Sequence, residues 1–255
     1  MNGLRPIERV NPAVRLVCAV LVGLGLVVSV DWVSATVGLV LELVVLLAAG
    51  VRPGWLARRL APLFLLAPLG AVSMLLYGEV GGRVLWRWGP ATISEHSCWL
   101  ALAMFVRVFA LATPAVALLG GMDATRLADG LAQVLRLPAR FVLGTLAAFR
   151  MLGLLQADWR AIEQARRARG LGDAGRLRRW ATMSFALLVV AIRRGTRLAT
   201  AMEARGFGAP GVARSWARPS RVGMADAVAT AISIAIGVLA VGTAVRAGTL
   251  WTVFS

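Results

Sequence analysis

The chain has no lysine, and among its 255 residues there is one histidine, one tyrosine and two cysteines. Each scarcity excludes something. Without Lys no phosphate-cradling Gly-x-x-x-x-Gly-Lys loop can be written, so any use of ATP must come from a partner. A lone His96, with only Glu95 and Cys98 beside it, falls short of the three or four ligands of a zinc site and reads as a loop residue. It also precludes a Ser-His or Cys-His catalytic set in the apolar part of the chain. Cys18 and Cys98 both lie in apolar surroundings, so no disulfide scaffold is expected. Acids are scarce as well, 12 against 28 basic residues, all of the latter Arg.

What is abundant is apolar surface. Hydrophobic residues make up 59% of the chain, above the roughly 45–50% of soluble domains, which also excludes a disordered chain. Five long runs stand out, at residues 16–30, 32–50 (broken only by Glu42), 60–78, 98–121 (broken only by Arg107) and 227–245. A membrane crossing takes roughly 20 apolar residues for about 30 Å of hydrocarbon, so five spans are expected. The first run is followed almost at once by the second and does not read as a cleaved leader.

The charge is concentrated. Residues 122–221 hold 18 of the 28 Arg and six acids, a net +12. By the excess of cations on cytoplasmic segments, that block, the N-terminus and the Arg52, Arg58, Arg59 turn belong inside, and the loop 79–97 outside. Arg83 and Arg87 in that loop run mildly against the rule. Three regions follow: transmembrane helices over 1–121, a cytoplasmic helical domain over 122–221 and a last transmembrane helix over 222–255. The fold class is all-α, polytopic, with about five spans plus long amphipathic helices lying under or obliquely across the inner face.

Those helices are visible as periodicity. Asp123 reads as the N-cap of a short helix carrying Leu127, Leu131, Val134 and Leu135 and ending near Pro138. Residues 139–169 place Phe141, Leu146, Phe149, Leu152, Leu155, Trp159 and Ile162 at helical spacing. Gly170 and Gly172 stop that helix. Residues 174–205 repeat the plan and stop at Gly206, Gly208 and Pro210. The Arg cluster of 166, 167, 176, 178, 179, 193, 194 and 197 is explained by attraction to anionic lipid. Asp158, Glu163, Asp173 and Glu203 among them read as solvated salt-bridging faces.

The most informative feature is a repeat. Residues 162–172 read Ile-Glu-Gln-Ala-Arg-Arg-Ala-Arg-Gly-Leu-Gly and residues 198–208 read Leu-Ala-Thr-Ala-Met-Glu-Ala-Arg-Gly-Phe-Gly. The shared frame is apolar-x-x-Ala-x-x-Ala-Arg-Gly-apolar-Gly, offset by 36 positions. Gly can take the left-handed conformation that closes a helix, and the helix dipole favours a cation in the last turn. Ala165 and Ala168 leave a shallow surface beside Arg169, as Ala201 and Ala204 do beside Arg205. Each end is then a narrow tip with one forked donor, suited to a groove that offers a carboxylate. One such copy would read as a helix stop in an Arg-rich chain. Two copies at equivalent helix ends read as a paired device.

With these motifs the chain resembles the transmembrane (T) component of energy-coupling factor (ECF) transporters, ABC-type uptake systems that include cobalt and biotin permeases. The resemblance rests on Ala168-Arg169-Gly170 and Ala204-Arg205-Gly206. Weaker support comes from Asn11-Pro12-Ala13-Val14-Arg15-Leu16, similar to a Pro-x-x-Lys-Leu pattern with Arg15 in place of Lys, from Thr113-Pro114 and from Leu135-Arg136-Leu137-Pro138. It implies a non-catalytic coupler with no cofactor, set in a bacterial cytoplasmic membrane. Two ABC-type ATPase subunits would dock on the paired motifs, with Arg169 and Arg205 as docking residues, Gly170 and Gly206 shaping the ends, and Ala168 and Ala204 permitting close approach. A separate membrane S component would bind the substrate, a vitamin or a metal ion.

Glu42 and Arg107, each in the middle of a span, carry two readings: a mutual ion pair or headgroup reach, or a contact with the S component. Two other classes remain for the chain as a whole. A membrane-embedded lipid-modifying enzyme would want clustered carboxylates or His, and none is found. A membrane-tethered nucleic-acid binder would use Trp159, Trp180 and Trp216 for base stacking, positions that helix burial explains equally well for two of them.

Overall fold

The computed structural model describes residues 7–27, 31–78, 81–88, 91–170, 175–208 and 215–247. A 3-10 turn, Ile7–Arg9, precedes α1 (Pro12–Val27), α2 (Trp32–Ala48), α3 (Pro53–Leu60) and α4 (Leu63–Tyr77). A two-stranded hairpin, β1 (Val84–Trp88) and β2 (Ala91–Ser94), leads into α5 (Glu95–Leu119). Then follow α6 (Ala124–Gln133), α7 (Ala139–Ala168), α8 (Arg176–Ala204) and α9 (Met224–Arg246). The chain forms two compact units, one of residues 1–130 and 220–255, the other of residues 131–219.

Helix starts in the first unit follow from side-chain caps. Asn11 accepts from the Ala13 N–H (3.0 Å) with Pro12 in the first turn. Asp31 accepts from the Ser34 N–H (3.1 Å) at the start of α2, and Ser94 from the Ser97 N–H (3.2 Å) at the start of α5. These caps lie close to where the sequence changes from polar to apolar, which is why the run boundaries were legible.

Helix lengths differ from the five full runs expected. Only α5 and α9 among those runs are single helices long and apolar enough to cross. The third run is broken: α3 and α4 meet at 54° around residues 61–62, and together they are long and apolar enough to cross as one bent span. Pro62 lacks an N–H to continue the α3 ladder, and the straight run read from composition alone did not take that into account. α1 and α2, of 16 and 17 residues, extend about 24–26 Å at 1.5 Å per residue. Residues 28–30 of the first run lie outside the described residues. α7 also has an apolar window long enough to cross, a property the sequence reading did not give it. The architecture is nonetheless that of a polytopic helical membrane protein, with three to four candidate spans and two shorter apolar helices.

The segment read as a plain outer loop contains the β-hairpin. Val84 pairs with Ser94, Trp86 with Ile93 and Arg87 with Thr92. Gly82 takes φ +74°, as a turn residue should, and His96 is the second residue of α5 rather than a loop residue. The Ser94 cap draws the helix start toward the hairpin, which residue composition alone did not signal.

The first unit is organised around α5, which packs on α1, α2, α3 and α4, while α1 lies against α9. One apolar cluster joins Leu46, Leu56, Leu60, Ala67, Phe109 and Ala117; a second joins Val22, Leu26, Ala110 and Ile236. Opposite stripes of large apolar side chains stay exposed: Val20 and Leu24 on α1, Val40, Val44 and Leu47 on α2, Val238 and Val245 on α9. Their spacing by three, four or seven residues marks faces turned to lipid.

α1 and α9 approach closely because Gly25 faces Gly237. A Cβ at Gly25 would sit 2.8 Å from the Gly237 Cα, whereas one at Gly237 would meet Gly25 at an ordinary 3.5 Å.

The two intramembrane charges do not pair. Arg107 Nη2 donates to the carbonyls of Leu26 and Val27, the last residues of α1, and so satisfies acceptors that the helix end leaves open. Glu42 is 3% exposed, and neither carboxyl oxygen has a hydrogen-bond partner among the described residues. It lines a mostly aliphatic cavity of about 260 Å³ together with Arg15, Cys18, Pro114, Ser233 and Ile236. Arg15 is itself committed through Nε to the Val10 carbonyl (2.9 Å).

Two outcomes are expected in thermal unfolding of the detergent-purified chain. Gly25→Ala should cost about 1–3 kcal/mol by forcing the helices apart, while Gly237→Ala should be nearly neutral. Glu42→Leu, close in volume, should raise the midpoint, since an unsatisfied buried polar group costs roughly 1–3 kcal/mol; a lowered midpoint would mean that the carboxyl has a partner.

Candidate functional site

The second unit consists of the end of α6, then α7, α8 and the residues that follow to Pro219. α6 begins at Asp123, whose carboxylate accepts from the Thr125 N–H (2.8 Å). It ends at Gln133, short of Pro138, because the chain turns through Arg136 with φ +53° and the Leu137 N–H returns to the Leu131 carbonyl (3.1 Å).

α7 and α8, of 30 and 29 residues, are tied to each other by charge and ring contacts. Glu163 accepts from Arg167 one turn on (2.8 Å) and from Arg179 on α8. Asp158 pairs with Arg194 (2.9 Å). The rings of Trp159 and Trp180 lie 5.1 Å apart, against each other. The acids read as solvated salt-bridging partners are thus inter-helix ties in two cases, Asp158 and Glu163. Asp173 lies outside the described residues. Glu203 is exposed.

The two repeated motifs have the same backbone. Ala168 is the last residue of α7, and Arg169 caps it with φ −90°, ψ 9°. Ala204 is the last residue of α8, and Arg205 caps it with φ −92°, ψ 12°. Gly170 and Gly206 follow with φ +71° and +78°, in the left-handed region where a Cβ is disfavoured. At the end of α8 the Gly206 N–H reaches the Glu203 carbonyl (2.8 Å) and the Phe207 N–H reaches that of Met202 (2.9 Å). That pair of bonds is a Schellman closure. At the end of α7 the matching bond from Gly170 to Arg167 is present (3.0 Å), and its second donor, residue 171, lies outside the described residues, as do Gly172 and Pro210.

The side chains at these ends are presented to solvent. Ala168, Arg169 and Gly170 are exposed, as are Ala204, Arg205 and Gly206. Among the described residues neither Arg169 nor Arg205 makes an ion pair, whereas Arg167, Arg179 and Arg194 in the same helices do. The six residues form two separate tips, one per helix. Glu42 and Arg107 belong to the first unit and are no part of either tip.

The tips offer binding chemistry. A planar guanidinium on a rigid helix end can take a carboxylate with two parallel hydrogen bonds. Among the described residues no group of three His, Cys, Asp or Glu is placed to hold a metal ion. With the Trp159 and Trp180 rings facing each other, the stacking platform that a nucleic-acid reading needs is partly used up inside the helix pair.

What sequence reasoning missed lies in the first unit, at the start of α1. Asn11 was noted only as part of a weak motif, yet it bonds to Ser220, Arg221 and Asp226. A cap residue 8% exposed with all its polar groups engaged leaves no periodic signal from which those partners could be read.

Comparison with known families matches residues 3–214 to the family described as CbiQ, cobalt transport protein. No curated protein matches the chain. The matched span covers most of the chain, α1 to α8 and both Arg-Gly ends. The chain therefore belongs to the CbiQ cobalt transport protein family, the T components of ECF transporters, and is a non-catalytic, multi-pass membrane subunit of a transport system.

Proposed function

We propose that this chain joins two ABC-type ATPase subunits to a substrate-binding membrane S component and transmits the ATPase closing motion for uptake of a metal ion or a vitamin. The observation that carries the reading is the pair of identical, exposed helix ends at Arg169 and Arg205, built alike down to the backbone angles. An ATPase dimer offers two like grooves, and a single chain needs two like keys to fill them. The Ala residues before each Arg keep the tip narrow, the left-handed Gly turns the chain away, and the guanidinium is left to meet a groove carboxylate.

The long helices suit transmission. α7 and α8 are held to each other by the Glu163–Arg179 and Asp158–Arg194 pairs, so a push at either tip moves a stiff body. Phe141, Phe149, Leu152, Phe185, Leu188 and Ile192 are exposed on them, apolar surface of the kind an S component or lipid would cover. The region 122–221 then acts as a cytoplasmic coupling domain, between transmembrane helices at 1–121 and 222–255, in a bacterial plasma membrane. Its many other Arg residues face anionic headgroups. The S component, a different chain, sets the substrate.

Removing one partner of a buried ion pair leaves the other uncompensated, at a cost of roughly 3–5 kcal/mol. Arg169→Ala or Arg205→Ala is therefore expected to weaken co-purification of the ATPases from native membranes, and the double change to abolish it together with uptake. Arg→Lys at either site should also weaken docking, because the planar fork is lost. Full ATPase recovery with the double Ala variant would refute the docking role.

A further inference from the structure

At one end of the first unit the helix ends carry aromatic rings. α2 begins at Trp32 and α5 at Glu95, and the rings of Trp32 and Trp99 lie 5.4 Å apart, so the two starts are side by side. α4 finishes at Tyr77, the only tyrosine of the chain, and packs on β2 and on α5. The hairpin is bonded to the first turn of α5. The Glu95 N–H donates to the Arg83 carbonyl (3.1 Å), the His96 N–H to the Gly81 carbonyl (3.3 Å) and the Ser97 N–H to Ser94 Oγ (3.2 Å). Those are donors that a helix start leaves open, so the hairpin stands at the level where α5 begins. Of the four tryptophans exposed among the described residues, Trp32, Trp86 and Trp99 are here, and Trp180 is on α8. Tyr77, Arg83 and Val84 are exposed as well.

Two constraints bracket the surroundings of these side chains. A two-stranded sheet has open edges, and rows of unpaired N–H and C=O groups do not occur in hydrocarbon, where nothing answers them. That keeps the hairpin out of the bilayer core. Water alone suits the rings poorly, since each presents a large apolar body with a polar tip. The headgroup layer satisfies both: it is apolar enough for a ring and wet enough for a strand edge, and Trp and Tyr collect there. The flanking helices agree. The exposed face of α5 runs from Trp99 to Leu102 one turn on, and Leu66 and Tyr77, about three turns apart, share an exposed face of α4. The rings thus terminate apolar stripes of the kind turned to lipid, a placement that docking of a soluble protein would not require. The exposed guanidinium of Arg83 complements phosphate, which gives this cation a use in either leaflet.

We propose that the hairpin, Tyr77 and the Trp32–Trp99 pair form a collar seated in the phospholipid headgroup layer, with Trp86 as its anchor on the hairpin and Arg83 meeting lipid phosphate. The collar sets the depth of α2, α4 and α5 in the bilayer. It involves the first unit alone and is independent of what docks on the Arg-Gly tips.

The test uses the full-length chain in nanodiscs of phosphatidylcholine and phosphatidylglycerol. One spin label sits on the native, exposed Cys98, with Cys18→Ala; another sits on Val84→Cys, with both native cysteines replaced by Ala. Collisions with oxygen and with a water-soluble nickel chelate report their depth. Both labels should meet the chelate about three- to tenfold less often than the same label in buffer. Both should meet oxygen less often than a label on Val44→Cys, which lies on the exposed apolar stripe of α2. Trp86→Ser should raise chelate contact at residue 84 about twofold, whereas Trp86→Tyr, which keeps an amphipathic ring, should leave it low. Thermal midpoints near the parent's show that these surface variants fold. Chelate contact equal to that in buffer at either label would overturn the proposal and mark the face as open to a soluble partner. Oxygen contact as high as at residue 44, with the chelate shut out, would overturn it by placing the hairpin in hydrocarbon. Unchanged chelate contact in Trp86→Ser would overturn the anchoring role of Trp86.

Discussion

The hydrogen bond from the Asn11 backbone to Asp226 ties the start of α1 to the start of α9. Much of the arrangement depends on it. α1 and α9 are more than 200 positions apart in sequence, and their close approach at Gly25 and Gly237 needs their starts held in register. Asp226 does this while its other oxygen takes the N–H of Gly223, the residue just before α9 and one of the donors that a helix start leaves open.

The apolar solvent explains how the first unit treats its remaining polar atoms. In hydrocarbon an unpaired backbone carbonyl has no water to turn to. Arg107 answers that need at the end of α1, bonding to Leu26 and Val27 rather than pairing with Glu42. The Thr113 hydroxyl, fully buried, is satisfied within its own helix, donating to the Phe109 carbonyl one turn earlier (2.7 Å). Glu42 alone has no hydrogen-bond partner among the buried charges described, and it borders an aliphatic cavity. A pairing rule based on opposite charges in neighbouring spans missed this, because it ignored the open carbonyls that compete for a guanidinium.

The second unit divides its Arg residues by task. Some close the α7–α8 pair on Asp158 and Glu163. Arg169 and Arg205 are kept apart from that network by their position one residue past the helix, where the chain is turning away. Arg167, Arg179 and Arg194, inside the helices, each reach an acid, whereas among the described residues Arg169 and Arg205 at the tips make no ion pair. Charge count alone could not separate them, since all are the same residue type in one basic block.

The sequence by itself determined the fold class, the family and the two Arg-Gly tips. These depend on local rules: apolar run length, 3.6-residue spacing, and glycine's access to the left-handed backbone, all of which act within a few residues. It also marked Asp123 and Pro138 as boundaries, though α6 ends earlier because Arg136 turns the chain. The hairpin before α5, the bonding of Arg107 and the bonds from Asn11 to Ser220, Arg221 and Asp226 were decided only by tertiary structure. Each depends on which distant group comes within about 3 Å of a donor or a backbone, and a one-dimensional pattern of polarity carries no record of that distance.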